Sequence, residues 1–474
     1  MPIKSTIKIV VISKFIAWWI YDKTVGLAVV LFFAVLDALL SIADLIGYTL
    51  RYSFLESAAY GHFISDGLDL IVKHRHLAET YKTSNFIYKP RLFLSSHKCS
   101  YPPFIKSLER HFKIIHLEKL PLPDLVISKV SQFLFQRNPV KNDLFRIRNS
   151  HFCLPITFVA AARWISSRDL FGLRDRYPLQ VTDVLDDHLI IKCRSYLESH
   201  KINVSNIICV HIRTPAWYQF HNSEDPFVNN KESDSVRNIT DPASVVPGLN
   251  HLLDKGYSIV QIGRKHERLD IDHAQFLHLD SHLDAPAELD LYLYAITKGV
   301  IGTGCGPDNM NSHFNNGPAC IINQHPHIHA TTFIPCVYHP PHIIDVNTSE
   351  VVSLGEYLYH QEFSYSDLSK KGLSIKPASA DSIRSTFDFF ATVLIEKQPY
   401  CHENWRLLSS KYINCLALYH VHYLGRPNLA DSVYSYGLET SYPWHFYMTP
   451  DFHLSPHFLS EVGEEWLDIR YRYR

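Results

Sequence analysis

The chain has 474 residues, with 46 Lys and Arg against 47 Asp and Glu, for a formal net charge of −1. That balance excludes the global basic field of a nucleic-acid binder, so any anion must be met by a local site. With 46% apolar and 20% charged residues, the chain reads as globular and long enough for about two or three domains. The nine cysteines include no C-x-x-C pair, and several lie in apolar runs, which fits a reducing compartment rather than a disulfide framework.

Residues 1–51 are expected to form an apolar helical segment. Ile9–Ile20 is broken only by Lys14, and Val25–Leu36 carries no charge. An uncharged run of about twelve residues is short for a span, which needs roughly twenty. Asp37 and Asp44 fall on one helical stripe, and Lys4, Lys8, Lys14 and Lys23 stand near Trp18, Trp19 and Tyr21. This pattern suits a helix in an anionic membrane interface better than a crossing one; helices packed on the protein are the next reading. The implied location is cytoplasmic, at the inner face of the membrane.

Residues 52–200 read as a first α/β domain. Tyr60-Gly61-His62 opens an apolar helix-like run from Phe63 to Val72. Apolar residues at 86–88 and 92–94, a helix from Pro103 to His111 and a strand over Phe112–His116 give the strand–helix–strand rhythm. Val181–Ser199 has helical spacing and leads into the next unit.

Residues 201–349 read as a second α/β domain of the nucleotide-binding kind. A strand over Asn206–Ile212 ends at Arg213, and a long polar loop, 214–241, follows. A helix is expected over Pro242–Leu253, a strand over Tyr257–Ile262, a helix over Glu288–Lys298 and a strand over Gly299–Gly302. The turn Thr303-Gly304-Cys305-Gly306-Pro307 leads to a helix over Asp308–Phe314 and a strand over Ala319–Asn323. Helices between strands imply a parallel sheet, whose ligands bind beyond the carboxyl ends of the strands. Residues 350–474 read as a mainly helical tail, clearest over Pro399–Tyr419 and Phe458–Leu467, packing across both domains.

The candidate site residues gather at those strand ends. Alternation puts His211 and Arg213 on one face, and an Arg fork matches phosphate oxygens in a bidentate way. Arg237 and Asn238 sit in the long loop, where Arg237 could add a second positive contact or be merely solvated. Gly263 lets backbone approach a ligand that Arg264 could reach. Thr303 and Gly304 form a glycine-rich turn before a helix start at Asp308, a setting that presents N–H groups to anions. Glu288 either binds sugar hydroxyls or supplies favourable charge at a helix start. His62 is the candidate base in the first domain, weighed against a structural role.

Taken in order, His211-Ile212-Arg213-Thr214, Arg237-Asn238-Ile239-Thr240-Asp241, Gly256-Tyr257 through Gly263-Arg264 and Ile301-Gly302-Thr303-Gly304 resemble a family of bacterial surface-carbohydrate glycosyltransferases. The H-x-R strand end also looks like that of fucosyltransferase-type enzymes. The resemblance covers about residues 60–345 and departs from the family at Gly304-Cys305-Gly306 and Gly263-Arg264-Lys265. It implies a GT-B architecture of two Rossmann-like domains, with a nucleotide-sugar donor as substrate rather than a resident cofactor. It implies Arg213 on the donor phosphates and His211 shaping their pocket. The acceptor would be a surface polysaccharide or lipid-linked carbohydrate at the membrane surface. No D-x-D stands at a strand end, so the expected transfer is metal-independent. The competing readings are a sugar-nucleotide epimerase and a non-catalytic nucleotide-binding scaffold.

Overall fold

The structure is a computed structural model that describes Thr24, 48–55, parts of 64–79, 87–94, 101–116, 158–159, 176–213, 240–263, 267–282, 284–304, 306–314, 317–324, 335–354, 365–399 and 452–467. The chain divides into two compact units, Met1–Ile165 and Ser166–Arg474.

The first unit holds a four-stranded sheet built from β1 (Tyr48–Leu55), β2 (Ile87–Leu94), β3 (Lys113–His116) and β4 (Phe158–Val159). Its order is β3-β2-β1-β4, and every neighbouring pair is parallel. Parallel neighbours need crossovers, and α1 (Pro102–Glu109) carries the chain from β2 to β3. Prolines are tolerated in its first turn because N–H groups there lack helical partners. Phe104 and Leu108, one turn apart, are fully buried. Ile64, Leu68, Ile71 and Val72 are helical at the same spacing and equally buried. β1 opens at Tyr48, so the last residues of the apolar N-terminal stretch are strand. The rest of that stretch, apart from Thr24, lies outside the described residues. Among the described residues no helix is long and apolar enough to cross a membrane.

The second unit is a mixed α/β structure around a seven-stranded sheet. Its strands are β5 (Ile207–His211), β6 (Ser258–Gln261), β7 (Phe276–His278), β8 (Gly299–Gly302), β9 (Ala319–Ile322), β10 (Cys336–His339) and β13 (Phe452–Leu454). The order is β13-β10-β9-β8-β5-β6-β7, with all neighbours parallel. Numbered from β5, the first six strands run 3-2-1-4-5-6, the dinucleotide-binding order. The first unit shares the beginning of that order. Every residue of β6, β8, β9 and β10 is buried, as is β5 up to its last residue. Such strands, covered on both faces, explain the short unbroken apolar runs. A two-stranded antiparallel ribbon, β11 (His342–Asp345) with β12 (Leu373–Lys376), stands beside this sheet in the sequence order.

The helices that matter for the site are α2 (Asp187–Ser199), α3 (Pro242–Asp254), α4 (Leu289–Ile296), α5 (Ala380–Phe389) and α6 (Pro456–Val462). Side-chain caps start four of them: Asp186 accepts from Leu189 N–H, Asp241 from Ala243 N–H, Ser379 from Ser382 N–H and Ser455 from Phe458 N–H. The helical stretch expected over 181–199 is therefore two pieces, Val181–Val184 and α2, parted at the Asp186 cap. α3 and α5 pack closely because Gly248 has no side chain where Phe387 sits. The tail is less helical than its composition suggests, since it supplies β12 and β13. The helix expected over 399–419 lies outside the described residues.

The central pairing is β5 with β8, which places Ile208 opposite Gly299 and His211 opposite Gly302. At its base Thr297, buried to 2% exposure, ties the strands together. Its hydroxyl accepts from Cys209 N–H at 3.2 Å and lies 3.0 Å from the Ile207 carbonyl and 2.7 Å from that of Gly299. Thr297→Val keeps the shape and leaves the Cys209 N–H buried without a partner. Urea unfolding should show a loss of about 1–3 kcal/mol; an unchanged midpoint would mean the hydroxyl is not a clamp.

Candidate functional site

The chain runs outward from β5 to β6 and β7, then returns to β8 on the other side of β5. Connections leaving the carboxyl ends of β5 and β8 therefore diverge and open a crevice between them. His211, Arg213, Thr303, Gly304 and Asp308 converge here. Ile212 is buried at 1% exposure while His211 and Arg213 are only partly covered, as strand alternation requires. The Arg213 N–H donates to Thr303 Oγ1 at 3.1 Å, so the top of the β5–β8 pair is fastened as well as its base.

Asp308 is the centre of this arrangement. It is fully buried, and its Oδ2 accepts from Gly304 N–H at 2.7 Å. Its Oδ1 lies 3.8 Å from His211 Nδ1. Gly302 makes the position possible, since a Cβ there would collide with the carboxyl group. Gly304 has φ +80°, a conformation that side chains disfavour, and its Cα packs against the Gln324 side chain. The turn was expected to offer N–H groups to a ligand anion; the anion held by Gly304 here is the chain's own carboxylate. The element after it is a 3₁₀ helix, Gly306–Phe314, rather than an α-helix beginning at Asp308.

Burial, and then the charge of Arg213, lower His211 to about 4. The imidazole is neutral near pH 7. Cationic character among these residues therefore rests on Arg213.

The remaining candidates are spread out. Gly263 follows β6 with φ +151° and lies against the buried Glu267 carboxylate, 3.1 Å from where its Cβ would be. Gln261 holds that loop, donating to the Glu267 carbonyl at 2.7 Å and accepting from Leu269 N–H at 3.0 Å. Glu288 is buried at the start of α4, where it makes no capping bond and adds to the upward pKa shift that burial imposes on Cys193 of α2. His62, Arg237, Asn238 and Arg264 lie outside the described residues.

Two residues at the end of β9 were not singled out from the sequence. Asn323 has φ +52°; its side chain donates to Thr240 Oγ1 at 3.1 Å and accepts from Ala378 N–H at 2.7 Å. It thereby fixes the point where the long 214–241 loop rejoins the fold. Gln324, 3% exposed, follows it. The sequence reading ran the strand on to Asn323, one residue past its end at Ile322, and only a polar pair beside an apolar run hinted at more. Among the described residues no group of three His, Cys, Asp or Glu is placed to hold a metal ion.

No family model matches the sequence, and no curated protein matches it. The structure is similar to that of a glycosyl transferase family 9 protein from Veillonella parvula, with TM-score 0.37 and 10% identity over 73% of this chain and 98% of that one. It is also similar to a Listeria monocytogenes structure named for UDP-N-acetylglucosamine 2-epimerase, with TM-score 0.28 and 8% identity over 60% and 81%. A UDP co-structure of S. aureus MnaA gives TM-score 0.24 and 9% identity over 58% and 79%. Likeness at these scores carries no weight for function, which has to be argued from the site's own residues.

Two outcomes follow from the geometry. Gly302→Ala drives a methyl group into the Asp308 carboxyl and should cost about 1–3 kcal/mol in chemical denaturation, as overpacking does; an undisturbed variant would contradict the close approach. Because folding holds His211 below its unfolded value, the unfolded state binds the extra proton between about pH 6.5 and 4. Stability should therefore fall as pH drops through that window, by at most about 1.4 kcal/mol per unit from this residue. His211→Asn should show a shallower loss between pH 7 and 5; an identical slope would refute the assignment.

Proposed function

We propose that the protein is a glycosyltransferase of GT-B type that moves a sugar from a nucleotide-sugar to a carbohydrate or lipid-linked acceptor at the cell envelope. The observation that carries this reading is Arg213 at the topological switch point of a sheet in dinucleotide-binding order. Its backbone is fastened to the end of β8, and its charge helps to keep the imidazole of His211 neutral. The resemblance of the ordered motifs to surface-carbohydrate glycosyltransferases supplies the reaction class. The sheet order alone would suit many chemistries.

The transfer forms a bond from an acceptor oxygen to the anomeric carbon as the bond from that carbon to the donor phosphate oxygen breaks. The acceptor's proton goes to a base, for which His62 is the candidate, and the electron pair stays on the phosphate. Arg213 stabilises that departing charge, in the role a divalent ion plays elsewhere. A preorganised guanidinium in a partly buried site does this better than one in water. His211, neutral, adds a hydrogen-bonding group beside the phosphate without competing for it as a cation. Arg237 and Arg264 are further candidates for the same charge, Arg237 alternatively for orienting the acceptor, and Asn238 for contact with the donor.

Thermal unfolding with UDP, GDP, CMP and their sugars tests the reading. A true ligand at about a hundred times its Kd should add roughly 2.7 kcal/mol of stability. Arg213→Ala should keep the fold and lose that gain. Retained affinity in the variant, or no shift with any nucleotide in the parent protein, would sink the donor-site assignment. Turnover of donor without an acceptor would point to an isomerising or hydrolysing enzyme instead.

A further inference from the structure

Threonine hydroxyls stand at both ends of the β5–β8 pair, and the groups they hold differ. At the amino end Thr297 meets main-chain groups of Ile207, Cys209 and Gly299, all buried within the sheet. At the carboxyl end Thr303 accepts from the N–H of Arg213, a residue only partly covered. Strand pairing stops short of Arg213. It ends at His211 opposite Gly302 on the β8 side and at Val210 opposite Gln261 on the β6 side. Arg213 thus lies beyond both ladders, and the Thr303 hydroxyl ties it to the first residue after β8.

The local sequence makes this tie stiff. A β-branched side chain has few χ1 choices, and Thr303 is 1% exposed, so its hydroxyl is held in one direction. Gly304 follows with φ +80° and turns the main chain out of the strand at once. The hydroxyl therefore reaches Arg213 from the point where the two chains part. A guanidinium meets phosphate oxygens through two parallel bonds, and that geometry is sensitive to where the residue is rooted. An arginine on a loose main chain has to be ordered as it binds, which weakens binding.

We propose that Thr303 is a positioning residue for phosphate binding, whose hydroxyl fixes the main chain of Arg213 before a ligand arrives. Being covered, Thr303 acts through Arg213 and not on the ligand. The inference deepens the nucleotide-sugar reading and rests on its assignment of Arg213 as the phosphate ligand.

Calorimetry on the full chain with pyrophosphate, UDP-glucose and GDP-mannose, set beside urea unfolding, separates positioning from plain stability. Thr303→Val keeps the shape and removes the acceptor. Its affinity for the probes that the parent binds should fall about tenfold, the effect of ordering roughly one residue's main chain. Thr303→Ser, which keeps the hydroxyl, should stay close to the parent. Thr297→Val is the control at the other end of the same strand pair. It strands an N–H inside the sheet, so it should destabilise the fold at least as much as Thr303→Val while leaving affinity level. A merely structural Thr303 predicts instead that affinity follows stability across the two variants. Thr303→Ala and Thr297→Ala, which also lack the hydroxyl, replace the pair if either Val variant does not fold. Parental affinity in Thr303→Val, a loss as large in Thr303→Ser, or an equal loss in Thr297→Val overturns the inference while leaving Arg213 as the phosphate ligand. Binding of no probe by the parent protein overturns the nucleotide-sugar reading, and this inference with it.

Discussion

The pairing of β5 with β8 is the constraint on which the site depends. These strands are distant in sequence, and the chain reaches β8 only after running out over β6 and β7 and returning. Threonines fasten the pair at both ends: Thr297 under Cys209, and Thr303 under Arg213. A slip of one residue would turn His211 and Arg213 into the core and Ile212 outward. The buried apolar faces of Ile208, Val210 and Ile212 resist that slip, and the threonine hydroxyls add a directional check. The crevice is then a consequence of strand order, since the connections that leave the two strands must part.

Asp308 decides how the crevice is charged. A fully buried carboxylate needs donors, and the turn after β8 provides one through the Gly304 N–H. Two glycines adapt the backbone to it: Gly302 by lacking a side chain, Gly304 by adopting a positive φ. The glycine-rich turn is thus shaped around an internal anion. On the proposed reading, Arg213 rather than this turn would place a ligand phosphate. His211, kept neutral by burial and by Arg213, lies 3.8 Å from the Asp308 carboxyl.

Much of the second sheet was legible because buried parallel strands leave short apolar runs bounded by polar turns. The strands at β5, β6, β8 and β9 fall within a residue or two of their expected places, and the helix Pro242–Asp254 is marked at its start by the Asp241 cap. β7, β10 and β13 were harder. Phe276–His278 and Phe452–Leu454 have three residues each, too few for periodicity, and β13 joins the sheet from more than a hundred residues beyond β10. α5 was missed because its polar face, Asp381, Ser385 and Asp388, dilutes the apolar stripe that packs on α3. At the site, motif position brought out His211, Arg213, Thr303, Gly304 and Asp308. It could not show that Glu288 is buried at the start of α4 without capping it, because a first-turn acid looks the same in sequence whether or not it caps.

Asn323 and Gln324 show why neighbouring residues of similar chemistry end in different environments. The left-handed backbone at Asn323, which Asn tolerates better than most residues, redirects the chain as it leaves β9. Its N–H still pairs with the His339 carbonyl at 2.8 Å, so β9 and β10 stay joined through the bend. The side chain turns inward and links Thr240 to Ala378, coupling the end of the long loop to the segment that leads into α5. Gln324, the next residue, packs against Gly304 instead. The bend that ties down the loop therefore also sets the Gln324 side chain against the turn that holds Asp308. The division of labour follows from backbone geometry rather than from residue type.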